Sequence, residues 1–340
     1  MLPRTGAEPV PSMPVDIVIL SGFLGSGKTS LLVDFLRSEE AGDTGVIVNE
    51  AGEIGIDGAI VSDSAAGVPM TLLANGCVCC SLRSGLVDTV HALLEAPRPL
   101  GRGPLTRIIL ETSGLSRPGP IIASLADPEL ARRNLRLSVL TAYDCEAGAA
   151  REAQFEEAAA QFAAAQRIVL TKVDKVPAAS LAEHVVRAQG FNPLAQIVAD
   201  VDRAGAVREA FEALPSAQCG ALALQALFAA GRRKIAASHP RIRVWTGTPR
   251  AAMDWDDFSM WLDDLAGFCG ERLLRVKALL KMNDCPEPIL IQSVGTTFGM
   301  PRRMAAPDGK DVLVVITRDL ELADLRTMAP DGPVSLRALG

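Results

Sequence analysis

The chain has 340 residues, enough for two domains, and its composition, 49% hydrophobic and 22% charged, is that of a globular protein. A formal net charge of −6 with no long Lys/Arg run argues against nucleic acid as a partner, because a phosphate backbone needs a basic face. No apolar run approaches the roughly 20 residues of a membrane-spanning helix, so no membrane association is expected. Seven cysteines, three of them packed into positions 77–80, do not suggest an extracellular disulfide framework. Such a cluster points to metal or thiol chemistry in a reducing compartment, and the cytoplasm is the expected location.

Residues 1–13, with several prolines and no continuous apolar core, read as a disordered leader rather than a secretory signal. From residue 14 to about 204, short apolar runs alternate with longer stretches of helical composition. The runs at 15–20, 45–48, 107–110, 135–142, 168–170 and 196–198 read as buried strands, and 29–38 and 154–165 as helices. Near-continuous apolar strands alternating with helices indicate an α/β domain with a doubly wound, mainly parallel sheet. An Ala-rich segment, 205–239, reads as a helical connector. Residues 240–340 read as a smaller α+β domain. Strands are expected there at 241–245, 273–280, 288–294 and 312–317, with helices at 254–265 and 319–326 on one face of an antiparallel sheet.

The first motif, Gly22-Phe-Leu-Gly25-Ser26-Gly27-Lys28-Thr29, follows a strand and opens a helix, as a P-loop does. Glycines let backbone N–H groups turn inward around phosphate, and the helix N-terminus adds its positive end. Lys28 reaches the β/γ oxygens, the Thr29 hydroxyl is placed for Mg²⁺, and Ser30 completes the lining. The second motif, Glu111-Thr-Ser-Gly114, follows the strand at 107–110. Glu111 is expected to hold Mg²⁺ directly or through water, and the Gly114 N–H to meet the γ-phosphate and report its loss. Lys28 and Glu111 are the expected catalytic residues. The third, Thr171-Lys172-Val-Asp174, is the base site: Asp174 can accept two hydrogen bonds from guanine, a donor pair that adenine lacks, and Lys172 would lie along the base. The usual first residue here is Asn, and this chain has Thr171.

The fourth motif, Asn75-Gly-Cys77-Val-Cys79-Cys80-Ser, lies between the first two nucleotide elements, where such domains keep mobile switch segments. Thiolates suit Zn²⁺ and similar soft or borderline ions. In an extended chain Cys77 and Cys79 share one face and Cys80 points to the other, so binding by all three needs a turn. If two bind, the remaining ligands come from elsewhere, with Glu53 the first carboxylate to consider.

Taken together and in order, the P-loop, Asn49-Glu50-Ala-Gly52-Glu53-Ile-Gly55-Ile-Asp57, Gly76-Cys77-Val-Cys79-Cys80, Glu111-Thr-Ser-Gly114 and Thr171-Lys-Val-Asp174 resemble the CobW-type metallochaperone GTPases. Leu273-Leu-Arg-Val-Lys277 and Val314-Val-Ile-Thr-Arg318-Asp319 resemble that family's smaller domain more loosely. The resemblance implies slow GTP hydrolysis coupled to delivery of zinc or cobalt to a client metalloprotein. By position, Thr29 and Glu53 then serve Mg²⁺ or the switch, and Cys77, Cys79 and Cys80 form the transition-metal motif. Many members carry a histidine-rich loop. This chain has only the scattered His91, His184 and His239, which makes metal storage an unsuitable role. A GTP-gated metal- or redox-sensing adaptor and an ATP-dependent small-molecule kinase are the rival readings. The sequence leaves open a monomer or a nucleotide-linked homodimer.

Overall fold

The structure, a computed structural model, describes residues 14–38, 41–49, 69–73, 82–98, 102–147, 155–212, 241–304 and 311–339. The expected leader, residues 50–68 with Glu53, the cysteine cluster and most of the connector lie outside the described residues.

The first domain is built on strands β1 (Val15–Ser21), β2 (Thr44–Asn49), β3 (Met70–Leu73), β4 (Arg107–Glu111), β5 (Leu135–Asp144), β6 (Arg167–Thr171) and β7 (Gln196–Val198). They form a parallel sheet in the order β3-β2-β4-β1-β5-β6-β7. Helices α1 (Lys28–Leu36), α2 (Leu82–Glu95), α3 (Pro118–Leu125), α4 (Pro128–Ala131), α5 (Glu156–Ala164), α6 (Leu181–Phe191) and α7 (Arg203–Phe211) cross between strands. One cluster packs Leu31, Leu32 and Phe35 of α1 on Val18 and Leu20 of β1 and on Val207 and Phe211 of α7. Another packs Leu86 and Val90 of α2 on Ile17, Ile19 and Ile108. Both faces are therefore covered, which is why the strands read as unbroken apolar runs. The first strand lies between β4 and β5, so the loops leaving these three carboxyl ends converge on one crevice, where ligands bind in open α/β sheets.

The expected boundary at 204/205 falls inside α7. Ala206, Val207, Ala210 and Phe211 are buried in the first domain, and Phe35 stacks on Phe211 with ring centroids 4.3 Å apart. The apolar face of this helix pairs with α1, so residues through 211 belong to the first domain and not to a connector.

The second domain comprises β8 (Ile242–Pro249), α8 (Trp255–Cys269), β9 (Leu273–Met282), β10 (Cys285–Val294), β11 (Thr297–Phe298), β12 (Arg302–Arg303), β13 (Val312–Arg318), α9 (Leu322–Met328) and β14 (Val334–Ala338). Its antiparallel sheet runs β11-β10-β9-β13-β8-β14, with β12 on β10. One face, with Trp245, Val276, Leu280 and Val315, is covered by Phe258, Trp261 and Leu265 of α8 and Leu325 of α9. The other face, with Ile242, Val244, Leu274, Val314 and Ile316, packs against Tyr143, Phe162 and Phe191 of the first domain. The second helix starts later than expected: Asp319 has φ 51°, and a capping box between Glu321 and Asp324 opens α9 at Leu322. Among the described residues no helix is long and apolar enough to cross a membrane.

Candidate functional site

The chain leaves β1 at Ser21 and turns through three glycines with positive φ: Gly22 at 141°, Gly25 at 72° and Gly27 at 87°. A Cβ at Gly22 would lie 2.6 Å from Ser26 Oγ and 2.9 Å from the Ala142 carbonyl, so only glycine fits there. Gly27 caps α1 in the left-handed region with no side chain on the first-turn N–H groups. Lys28 is buried and folds back over the loop, its Nζ donating to the carbonyls of Gly22 at 2.8 Å and Phe23 at 3.2 Å. Ser26 Oγ and Ser21 Oγ are buried without a hydrogen-bond partner. Buried hydroxyls lacking partners beside a cradle of backbone donors match what an anionic phosphate supplies. Ser30 is exposed on the first turn of α1.

From the neighbouring strand end, Glu111 is 3% exposed and accepts a 2.6 Å hydrogen bond from Thr29 Oγ1. Two of the residues expected to serve Mg²⁺ thus meet across 82 positions of sequence, and an acidic oxygen beside a hydroxyl is the hard donor set that Mg²⁺ prefers. The chain after Glu111 is stapled to β1 by Thr112, whose N–H and Oγ1 both reach the Leu20 carbonyl, at 3.0 and 3.1 Å. Gly114 then runs against the P-loop: a Cβ there would lie 2.6 Å from Leu24 N and 2.7 Å from Leu24 Cα. The expected sensor and the phosphate loop are in backbone contact.

At the end of β6, Thr171 is 2% exposed, and its Oγ1 lies 2.7 Å from the Ser26 carbonyl and 2.9 Å from the Tyr143 carbonyl. With one proton shared between two acceptors, Thr171 ties the base loop to the P-loop. Lys172 takes φ 54°, and its ammonium pairs with Asp144 at 2.7 Å. Asp174 stands exposed on the short 3₁₀ turn that follows.

Sequence reasoning missed two polar residues. Asp144 ends β5, is 7% exposed, and accepts from the Glu146 and Ala147 N–H groups as well as from Lys172. Its signal was available, a carboxylate at the end of a strand beside the P-loop strand. Gln161 is fully buried in α5 and donates from Nε2 to the carbonyls of Gly114 and Ser116, each at 2.9 Å. It is a lone amide among alanines, and nothing in the local sequence names its partners.

The sequence profile described as CobW/HypB/UreG, nucleotide-binding domain, matches residues 16–199, more than half of the chain. The chain belongs to the CobW/HypB/UreG family. Its second domain matches the cobalamin synthesis protein cobW C-terminal domain over residues 242–328. The zinc chaperone YjiA of Escherichia coli K12 is 34% identical over 194 residues, 56% of this chain and 59% of that protein. The zinc chaperone CobW of Pseudomonas aeruginosa is 31% identical over 216 residues, 55% of this chain and 56% of that protein. The chain thus spans less than two thirds of the length of these relatives. Zn(II)-bound YjiA GTPase from E. coli superposes with a TM-score of 0.62 at 21% identity, over 93% of this chain and 98% of that one. That likeness establishes the two-domain fold.

For this CobW/HypB/UreG member the transition-metal residues remain expectations, because Cys77, Cys79, Cys80 and Glu53 lie outside the described residues. The described cysteines, Cys145, Cys269 and Cys285, are buried and form no disulfide, Cys145 in the first domain and the other two in the core of the second. Burial pushes the Cys269 thiol up to about 11, opposed by the Arg272 charge, so it stays protonated and is a poor metal ligand at neutral pH. Among the described residues no group of three His, Cys, Asp or Glu could hold a metal ion.

Proposed function

We propose that this chain is a GTP-hydrolysing metallochaperone that binds a transition metal at Cys77, Cys79 and Cys80 and delivers it to a client metalloprotein, with the nucleotide state gating metal affinity. The observation that carries the reading is the meeting of Thr29 and Glu111 at 2.6 Å beside the glycine cradle, in a family whose members include proteins named zinc chaperones. Zinc is therefore the first cargo to test and cobalt the second. Cytoplasmic location and a client, rather than a storage role, follow from the same reading.

Each described residue has a task in it. The backbone N–H groups of Gly25 to Thr29 and the Lys28 ammonium bind the β- and γ-phosphates and neutralise the charge that develops as water attacks the γ-phosphorus and GDP leaves. Lys28 must release the carbonyls of Gly22 and Phe23 to do so. Thr29 and Glu111, with Glu53, would hold Mg²⁺, which when bound supplies further neutralisation at the phosphate oxygens. The Gly114 N–H reads the γ-phosphate, and Asp174 accepts from guanine with Lys172 fixed beside it by Asp144.

The gate follows from linkage. If the triphosphate state orders the segments around Glu53 and the cysteines, metal binds more tightly in that state, and metal must tighten GTP by the same factor. A tenfold difference needs only about 1.4 kcal/mol. Thiols lose protons on binding, so loading weakens in acid. Zinc transfer tests the delivery step. Zinc-loaded protein mixed with an apo zinc enzyme and GTP should restore that enzyme faster than free zinc buffered to the same activity. Restoration no faster than from buffered zinc would leave a GTP-gated adaptor.

A further inference from the structure

Helix α5 touches the P-loop, the loop after β4 and the second domain. At its N-terminal end Phe155 stacks on Phe23 of the P-loop with centroids 4.6 Å apart. In its middle, Gln161 holds the Gly114 and Ser116 carbonyls. The orientation of that amide is fixed by chemistry, since the reversed amide would set its oxygen against two carbonyl oxygens. Its Oε1 is then buried with no hydrogen-bond partner. A half-satisfied buried amide is a costly choice in a helix whose inward neighbours, Ala158, Ala159, Ala163 and Ala164, are apolar. The loop receives the benefit: its two carbonyls are held by donors that water cannot replace inside the core.

The backbone of Gln161 is itself fixed, its carbonyl accepting from Thr141 Oγ1 at 3.0 Å. The helix is clamped from the second domain as well. Arg275 of β9 is buried and sets Nη1 within 2.6 to 3.0 Å of the carbonyls of Ala163, Ala164 and Ala165. It places a cation at the negative end of a helix. Burial lowers its pKa to about 10, so it is charged at neutral pH. On the other side, Arg117, three residues beyond Gly114, reaches Glu156 at 3.2 Å on α5 and Glu271 at 3.0 Å in the second domain. The loop therefore cannot shift without breaking the Gln161 bonds or moving α5, and α5 cannot move without disturbing the second domain.

We propose that Gln161 is a positioning residue for the γ-phosphate-reading loop, and that α5 transmits the docking of the second domain to that loop. This rests on the nucleotide reading above and deepens it by giving the second domain a share in distinguishing GTP from GDP. A residue serving only stability would affect both nucleotides alike. One serving the loop affects only the ligand that carries a γ-phosphate.

The test is the affinity of the full chain, with Mg²⁺, for fluorescent GDP and for a fluorescent non-hydrolysable GTP analogue. Gln161→Met keeps the volume and removes the donors. It should weaken the analogue about tenfold while changing GDP less than twofold. Gln161→Asn, which retracts the amide by one methylene, should bias the ratio in the same direction. Arg275→Met should lower the preference for the analogue about threefold. Equal weakening of both nucleotides, or no change, in a Gln161→Met protein that still melts cooperatively would overturn the positioning role. If the Met variant does not fold, the same result in Gln161→Asn would overturn it. A wild-type ratio in Arg275→Met would overturn the transmission. Wild-type protein binding neither nucleotide would refute the underlying nucleotide reading, a result distinct from any of these.

Discussion

Asp174 and Thr171 of the proposed base site differ in setting, one an exposed carboxylate and the other a buried hydroxyl. Thr171 stands where Asn is usual, and the structure shows what its hydroxyl holds. Its hydroxyl reaches the Ser26 and Tyr143 carbonyls, so the link from base loop to phosphate loop needs no longer side chain. Asp174 is exposed to solvent, and under the proposed base site it is the residue on which guanine selectivity would turn. Asp174→Asn inverts its hydrogen-bonding pattern. Nucleotide competition should show GTP affinity falling on the order of a hundredfold, with xanthosine triphosphate becoming the preferred ligand. An unchanged GTP preference would remove Asp174 from the base site. Lys172 illustrates what one chain of letters conceals: its positive φ and its partner Asp144, 28 positions away, are visible only in three dimensions.

The strands and the helices that carry the site were legible because their apolar runs are long and buried on both faces. The boundaries of β1, β4, β5 and β6 fall within two residues of those expected. Two of the strands that escaped are short and peripheral. Met70–Leu73 and Val334–Ala338 are edge strands, the second with only Val334 buried, so neither carries a periodic signal. The role of Gln161 escaped for another reason: its partners lie 45 and 47 positions away on a loop held by carbonyls, which no residue type announces. At this scale the tether between β6 and the P-loop is the feature to test. Thr171→Val is nearly isosteric but strands two buried carbonyls, so urea unfolding should register a loss of about 1–3 kcal/mol. GDP affinity should fall with it, and Thr171→Ser should recover both. A Val variant with wild-type stability and affinity would show that the tether is dispensable.

In the whole molecule, the second domain is not an appendage. Its sheet buries one face under its own helices and the other against α5 and its surroundings. Around that contact Glu156 lies within 3.2 Å of Arg117, Arg241 and Arg318, with Asp319 beside the last two and Glu271 beside the first. The hydrogen bond to Asp319, opposed by modest desolvation, raises Arg241 above its usual value. Three cations around one partly exposed carboxylate repel each other once it is removed. Glu156→Gln should therefore lower thermal stability by about 1–2 kcal/mol at low salt, and 1 M NaCl should narrow the gap. A salt-independent difference would mean that packing, not charge, holds the network.

Under the proposed function, nucleotide state gates a transition-metal site formed by Cys77, Cys79 and Cys80. Competitive zinc titration of the reduced protein with Mg²⁺, once with a non-hydrolysable GTP analogue and once with GDP, tests it most directly. Zinc should bind at least tenfold tighter in the triphosphate state, and that difference should vanish when all three cysteines are replaced by serine. Equal zinc affinity in the two nucleotide states, or a difference that survives the triple replacement, would contradict the gating.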